Sequence, residues 1–292
     1  MPWPKEVPVK RYPSDLTDEE WQLLEPLIEE IDPYITGRPR TTELREIVNA
    51  IFHLNKTGCP WRYLPKEFPD YKLVSYYYHK WVDCGIWEKI NIALHRKLRK
   101  ELGRNEDPSA GIIDSQTVKG TPESVKESGF DGGKRIKGRK RHIVVDTNGY
   151  LMIVIAHAAN VYDGHAAKRV LKALFSIVKT LKKIWADGGY NSEELIRWVK
   201  EQFGCILEVV MKKKGKGKGF QVLPRRWVVE RTFAWLNRYR RLSKDYERKP
   251  TSSSSHVYVA SIRLMLRRIF KERAKKTAQE LPLLAAAVAA MA

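Results

Sequence analysis

The hydrophobic pattern of this chain changes period once, near Asp107-Pro108, and that change limits the folds open to it. Before it, apolar residues recur at helical spacing. After it, short β-type runs appear at 111–114, 141–146, 151–156, 183–186 and 205–210. Helical runs at 164–181 and 192–203 fall between the later ones. Asn148-Gly149, between the second and third β-runs, is a hairpin signal. Three strands followed by alternating helices and strands predict an α/β fold: a mixed sheet with helices on its faces, behind an N-terminal all-helical domain. The expected division is 1–105 for the helical domain, 106–270 for the sheet domain, and a tail of unknown role over 271–292.

The helical part opens with Thr17-Asp18-Glu19-Glu20, a capping-box pattern, followed by Trp21, Leu24, Leu27, Ile28 and Ile31 at helical spacing. Pro26 is expected to kink or divide this helix. Its surrounding face is acidic (Asp15, Asp18, Glu19, Glu20, Glu25, Glu29, Glu30), which suits a protein contact better than DNA. Thr42 is expected to cap a second helix that stops at Gly58. A third begins near Asp70, and a fourth carries Ile86, Trp87, Ile90, Leu94 and Leu98. Two successive helices with basic flanks fit either a helix-turn-helix reader or a bundle that only packs. Gly37-Arg38-Pro39-Arg40 reads as a linker or as a minor-groove arm.

Charge narrows the partner. Lys plus Arg number 54 against 34 Asp plus Glu, a net +20 over 292 residues. Such an excess favours a polyanion. Two cationic stretches, 134–141 and 211–219, read as mobile loops that could track a phosphate backbone. The helix around residue 230 is expected to run on through Leu236 and Tyr239, with a Ser-rich hinge over 251–255 and a last helix over 256–270. Cys59, Cys84 and Cys205 have neither zinc-site nor disulfide spacing. The segment beginning Met1-Pro2-Trp3 lacks the apolar stretch of a signal peptide, and the apolar 283–292 segment is too short to span a bilayer, so no membrane partner and a cytoplasmic location are expected.

Three carboxylates occupy settings that need a reason. Asp114 ends the apolar run Gly111-Ile112-Ile113; Asp187 ends Ile184-Trp185-Ala186 and precedes Gly188-Gly189-Tyr190; Glu230 lies in an otherwise apolar or basic helical stretch. Taken singly, each has an ordinary reading: a turn, a helix cap or a solvated face. If the strands ending at Asp114 and Asp187 are parallel neighbours, both side chains emerge at one sheet edge, and Glu230 would join them from a helix across it. Hard oxygen ligands suit Mg²⁺ or Mn²⁺. Two ions held there would activate a water or 3′-hydroxyl and stabilise the leaving oxygen. Asp146, before the Asn-Gly turn, reads as structural; Asp163 reads as a helix cap or a reserve ligand.

Three blocks together resemble the signatures of DDE transposases, in the insertion-sequence-five (IS-five) branch: Ile113-Asp114-Ser115-Gln116-Thr117-Val118-Lys119, Ala186-Asp187-Gly188-Gly189-Tyr190, and Arg226 through Leu236 around Glu230. The first half resembles that branch too, in Leu16-Thr17-Asp18-Glu19-Glu20-Trp21, Thr57-Gly58-Cys59-Pro60-Trp61 and Trp81-Val82-Asp83-Cys84-Gly85-Ile86-Trp87. The resemblance covers roughly 15–270. It implies a ribonuclease H-like core with Asp114, Asp187 and Glu230 as an acidic triad. It implies two Mg²⁺ ions, with Mn²⁺ able to substitute, in the cytoplasm of a bacterium or archaeon near its nucleoid. It also implies excision and insertion of a mobile element known by its terminal inverted repeats. An arginine one turn before the glutamate matches Arg226; a lysine two turns after it does not match, because Asn237 stands there beside Arg238.

The expected chemistry is hydrolysis at the element's end followed by attack of the freed 3′-OH on target DNA, both in-line displacements. Lys119, Lys134, Lys137, Arg139, Lys140 and Arg141 are expected on the phosphate track, with Arg226, Arg231 and Arg238 near Glu230. Joining two double-stranded ends at one target calls for a homodimer or larger assembly. Two rival readings are a ribonuclease H-like nuclease that cuts without joining, and a DNA-binding regulator without catalysis.

Overall fold

Helix α1 (Asp18–Ile31) starts at a complete capping box: Thr17 accepts from the Glu20 N–H, and the Glu20 carboxylate accepts from the Thr17 N–H. It belongs to a computed structural model that describes residues 11–33, 35, 40–124, 127–211 and 225–289. The Gly37-Arg38-Pro39 segment and most of the 211–219 stretch lie outside the described residues. Pro26 does not divide α1. It sits exposed, as does Gln22, whose carbonyl loses its helical partner there and faces water instead. Helix α2 (Leu44–Thr57) begins at Glu43 with no side-chain cap, so Thr42 does not cap it. It ends at Gly58, whose φ of +73° and close approach to the Arg240 backbone exclude a larger residue. Asp70 caps α3 (Tyr71–Asp83) through the Lys72 N–H. Helix α4 (Ile86–Glu101) follows one turn later. Ile86, Trp87, Ile90, Leu94 and Leu98 of α4 are buried, so α3 and α4 pack as part of a bundle.

The sheet has five main strands, β1 (Ala110–Lys119), β3 (Ile136–Asp146), β4 (Leu151–Ala158), β5 (Lys183–Ala186) and β6 (Ile206–Val209), and a short β2 (Gly129–Asp131). Its order is β4-β3-β1-β5-β6, with β2 beside the start of β3. β3 runs antiparallel to β1 and β4, whereas β1, β5 and β6 are parallel. This is the mixed α/β sheet that the periodicity predicts, with the ribonuclease H-like arrangement. Asp146 closes the β3–β4 hairpin: it is fully buried, pairs with Arg99 at 2.6 Å, and accepts the Asn148 and Tyr150 N–H groups. Its role is structural.

Side chains alternate across each strand, and the two faces have different covers. Ile112, Ile143, Val145 and Trp185 pack with α1–α4, α7 (Trp227–Leu236) and α8 (Pro250–Ala289). Ile113, Val144, Ile184 and Ala186 pack with α5 (Asp163–Ile177) and α6 (Glu193–Phe203). The first core runs without a break from the N-terminal helices across residue 105 into the sheet.

The structure differs from the sequence expectations at three places on the C-terminal side. The Ser-rich 251–255 run is no hinge but the first turns of α8. Ser252 and Ser253 are buried; Ser253 donates to Asp245 at 2.8 Å, and Ser254 accepts the Ala156 N–H of edge strand β4 at 2.9 Å. Small side chains let the helix approach the strand, and with Tyr258, which accepts the Val154 N–H, they cover an otherwise open edge. Residues 271–289 of the segment left without a role are helical and continue α8, with Arg273 pairing to Glu101 at 2.8 Å. Likewise α7 stops at Leu236, and a separate short turn over Arg240–Leu242 follows. Among the described residues, no helix is long and apolar enough to cross a membrane.

Candidate active site

Asp114 lies in the middle of β1, not at its end, and the neighbouring strand stops first. β1 pairs with β5 in parallel through Ile112 opposite Trp185. Continuing that register sets Asp114 opposite Asp187. Alternation puts Asp114 on the face of Ile112 and Asp187 on the face of Trp185, the face that α7 covers. Glu230 is on α7, whose position is fixed from the hairpin: Thr232 donates to the Gly149 carbonyl at 2.7 Å and Arg231 to the Asn148 carbonyl at 2.7 Å. Gln116, two residues after Asp114 on the same face, reaches Asn237 beyond the end of α7 at 3.4 Å.

One guanidinium links the acids. Arg226 Nη2 is 3.6 Å from Asp187 Oδ2 and 3.8 Å from Glu230 Oε1. The structure therefore brings Asp114 and Asp187 together directly, and Glu230 to Asp187 through Arg226. Among the described residues, no group of three or more His, Cys, Asp or Glu side chains stands close enough to hold one ion jointly. Burial raises the Asp114 pKa to about 7, and repulsion from Asp187 adds to it; the Ser115 N–H and Arg226 pull it back. Two hard oxygen donors that repel each other in a half-buried setting fit a divalent cation, whose charge would relieve both penalties.

The other face of β1 carries Asp163, read from the sequence as a helix cap or reserve ligand, and a Tyr190–His142–His157 chain that the sequence reading did not assign. Asp163 does not cap α5; Tyr162 holds the cap position, and Asp163 is the first helical residue. Its carboxylate accepts from Ser115 Oγ at 3.1 Å and pairs with Lys140 Nζ at 3.0 Å. Asp187 accepts the Gly189 N–H at 2.8 Å, which shapes the short turn Gly188–Tyr190. Tyr190, fully buried, places its hydroxyl 2.5 Å from His142 Nε2; His142 Nδ1 is 2.9 Å from His157 Nε2, and His157 Nδ1 is 2.9 Å from the Ala158 carbonyl. A carbonyl only accepts, so His157 Nδ1 carries the hydrogen. Burial lowers both histidine pKa values and keeps the rings neutral. The chain is then ordered: Tyr190 O–H donates to His142, and His142 Nδ1–H donates to His157. Burial, with nearby Asp114, holds the Tyr190 pKa far above the usual range. Residues 140–142 of β3 lie opposite 115–117 of β1, with Ser115 facing His142 in register, so a period-two reading of these two runs puts Ser115, Lys140 and His142 on one face.

The expected phosphate track divides. Lys119, Lys134 and Lys137 are exposed. Arg139, Lys140 and Arg141 are not, because 136–146 is a strand covered on both faces rather than a loop. Arg139 is fully buried, pairs with Asp245 at 3.3 Å, and donates to the Glu247 and Arg248 carbonyls at 2.7 and 2.9 Å. Arg141 donates to the Leu242 carbonyl at 2.7 Å, and Lys140 is held by Asp163. They are buried and hydrogen-bonded inside the protein, so they are corrected from DNA contacts to internal anchors. Near Glu230, Arg231 is half-buried with Trp227 and Trp235 against its guanidinium, and Arg238 is exposed.

A family model described as "Transposase DDE domain" matches residues 105–255, and one described as "Putative transposase of IS4/5 family" matches residues 16–91. The chain is 34% identical over 119 residues to a Burkholderia cepacia protein described as "Putative transposase for insertion sequence element IS402", covering 38% of this chain and 55% of that protein. It is 27% identical over 123 residues to "Uncharacterized protein y4sN" of Sinorhizobium fredii, covering 42% of this chain and 86% of that protein. The chain thus spans about half the length of the first of these relatives.

Proposed function

The chain belongs to the transposase DDE-domain family, and from that premise we propose that it cuts the ends of an insertion sequence and joins their 3′-OH groups to target DNA, with Asp114, Asp187 and Glu230 as the catalytic acids. The observation that carries this reading is the parallel β1–β5 pairing, which sets Asp114 opposite Asp187 on the face covered by the helix of Glu230. Divalent cations, Mg²⁺ or Mn²⁺, bound by these acids would supply activation of the attacking oxygen and neutralise charge at phosphorus.

The chain's own residues do the rest. Asp114 and Asp187 supply oxygen ligands from rigid neighbouring strands, and the Gly189 N–H fixes the rotamer of Asp187. Arg226, already touching two carboxylates, is placed to exchange them for a scissile phosphate. In cleavage a water oxygen bonds to phosphorus and the 3′-oxygen leaves as a hydroxyl. In joining that 3′-OH bonds to a target phosphorus and the target's own 3′-oxygen leaves. Each step exchanges one P–O bond for another, so one site serves both. The bound DNA is double-stranded, terminal repeats and target alike, in the cytoplasm and near the nucleoid. Two ends at one target call for a homodimer or larger assembly, and residues 1–105 are the region proposed for end recognition or dimerisation.

Strand transfer with pre-cleaved ends tests this reading. Joined product with a divalent cation supports it; cutting of intact ends without joined product replaces it with a nuclease.

A further inference from the structure

Between the β3–β4 hairpin turn, α7 and α8 is a cavity of about 420 Å³. Asn148 of the hairpin turn, Arg231 and Arg238 at α7 and its end, and Arg267, Arg268 and Lys271 of α8 are among the residues that line it. Five of these side chains are cationic and none is a carboxylate. Such crowding of like charge is unfavourable unless something negative offsets it.

Three local contacts take up part of that charge and leave the rest. Arg231 donates one nitrogen to the Asn148 carbonyl, Arg267 one to the Pro13 carbonyl, and Arg268 pairs with Glu272 at 3.0 Å. Among the described residues, Arg231 Nε and Asn148 Nδ2 are buried donors without an acceptor. A buried donor without a partner carries a desolvation penalty that an incoming acceptor removes. The acceptor these groups fit is anionic and rich in oxygens.

We propose that this cavity binds a backbone phosphate of the DNA at a position other than the one being cut. α7 would then hold the substrate twice, with Arg226 and Glu230 toward the acids and Arg231 and Arg238 toward the cavity. The assignment to DNA rests on the proposed function; the phosphate chemistry rests on the cavity alone.

Asn148→Asp tests it with little disturbance, because Asp-Gly makes the same hairpin turn as Asn-Gly. The change replaces an unmatched donor with a carboxylate facing the anion. In full-length protein with a labelled mixed-sequence duplex, Asn148→Asp should weaken binding about tenfold or more at low salt. Arg238→Ala with Lys271→Ala should lower the slope of log Kd against log salt by ~0.9, the contribution of the one phosphate no longer neutralised. The exposed pair Lys182→Ala with Lys200→Ala on the α6 side controls for bulk charge and should leave the slope near wild type. Affinity and slope unchanged in both cavity variants, with melting temperatures intact, would overturn the proposal. Stabilisation of wild type by inorganic phosphate without any change in DNA affinity would overturn the DNA assignment and leave a small-anion site. Asp187→Ala separates the two readings: it should bind DNA with the wild-type slope but not cut. If it cuts normally the proposed function fails, and the cavity result stands on its own measurement.

Discussion

Asp114 and Asp187 face each other on neighbouring parallel strands, just past the last paired position. Burial and this opposition raise the Asp114 pKa from 3.8 to about 7. A carboxylate raised in the fold contributes nothing below its unfolded value and subtracts stability as pH climbs, with full effect above the folded value. Asp114→Asn should therefore melt higher than wild type without divalent cations at about pH 8, and the gap should narrow toward about pH 5. Added Mg²⁺ or Mn²⁺ should close the gap by stabilising wild type alone. A pH-independent gap in thermal melts would contradict the assigned repulsion.

Arg139 and Lys134 lie in one basic run and should behave oppositely. Arg139→Ala leaves Asp245 and two carbonyls short of a buried cation, so it should destabilise the protein by about 3–5 kcal/mol in denaturant titrations. Lys134→Ala, at an exposed site, should stay within about 0.5 kcal/mol of wild type. Equal effects would mean that the two side chains share one environment.

Glu247 accepts from Arg241 at 2.8 Å and lies 3.3 Å from His256. Despite burial, His256 and Arg241 hold its pKa down to about 2 from 4.5. A depressed carboxylate stabilises the fold above its unfolded value and loses that contribution as pH falls through the folded one. Glu247→Gln should cost stability near neutrality, with a penalty that shrinks between about pH 4.5 and pH 2. Acid titration followed by circular dichroism reads the difference; a constant penalty would refute it.

Tyr190 ties the turn after Asp187 to the His142–His157 chain. Tyr190→Phe keeps the ring and removes the donor. It should slow cleavage about tenfold or more while leaving DNA affinity unchanged, as expected when the acid is positioned less well. Cleavage at the wild-type rate would leave the hydroxyl a packing role only.

The strand and helix runs were legible because both periods are local properties of the chain. So was the Asp114–Asp187 pairing, which needed only parallel neighbours. Arg139 and Arg141 were misread because their acceptors, the Glu247 and Leu242 carbonyls, lie about a hundred residues away in sequence. A run of cations reads as solvated until the layers on both sides are known. The Ser252–Ser253 segment was misread for a related reason: its Ser-rich character suggested a hinge, while the Ser253 hydroxyl serves Asp245 and both small side chains are buried. Arg226 between Asp187 and Glu230 was only half visible. Its spacing to Glu230 is helical, but its reach to Asp187 depends on where α7 lies, which the hairpin carbonyls of Asn148 and Gly149 decide.

The most direct test of the whole account is cation-dependent cleavage of end DNA by Asp114→Asn, Asp187→Asn and Glu230→Gln, each measured beside its DNA affinity. Every variant should lose at least about 10²–10³-fold in cleavage rate while binding DNA as wild type does. Near-wild-type cleavage by any one of the three would remove that residue from the site and contradict the claim that these acids act together.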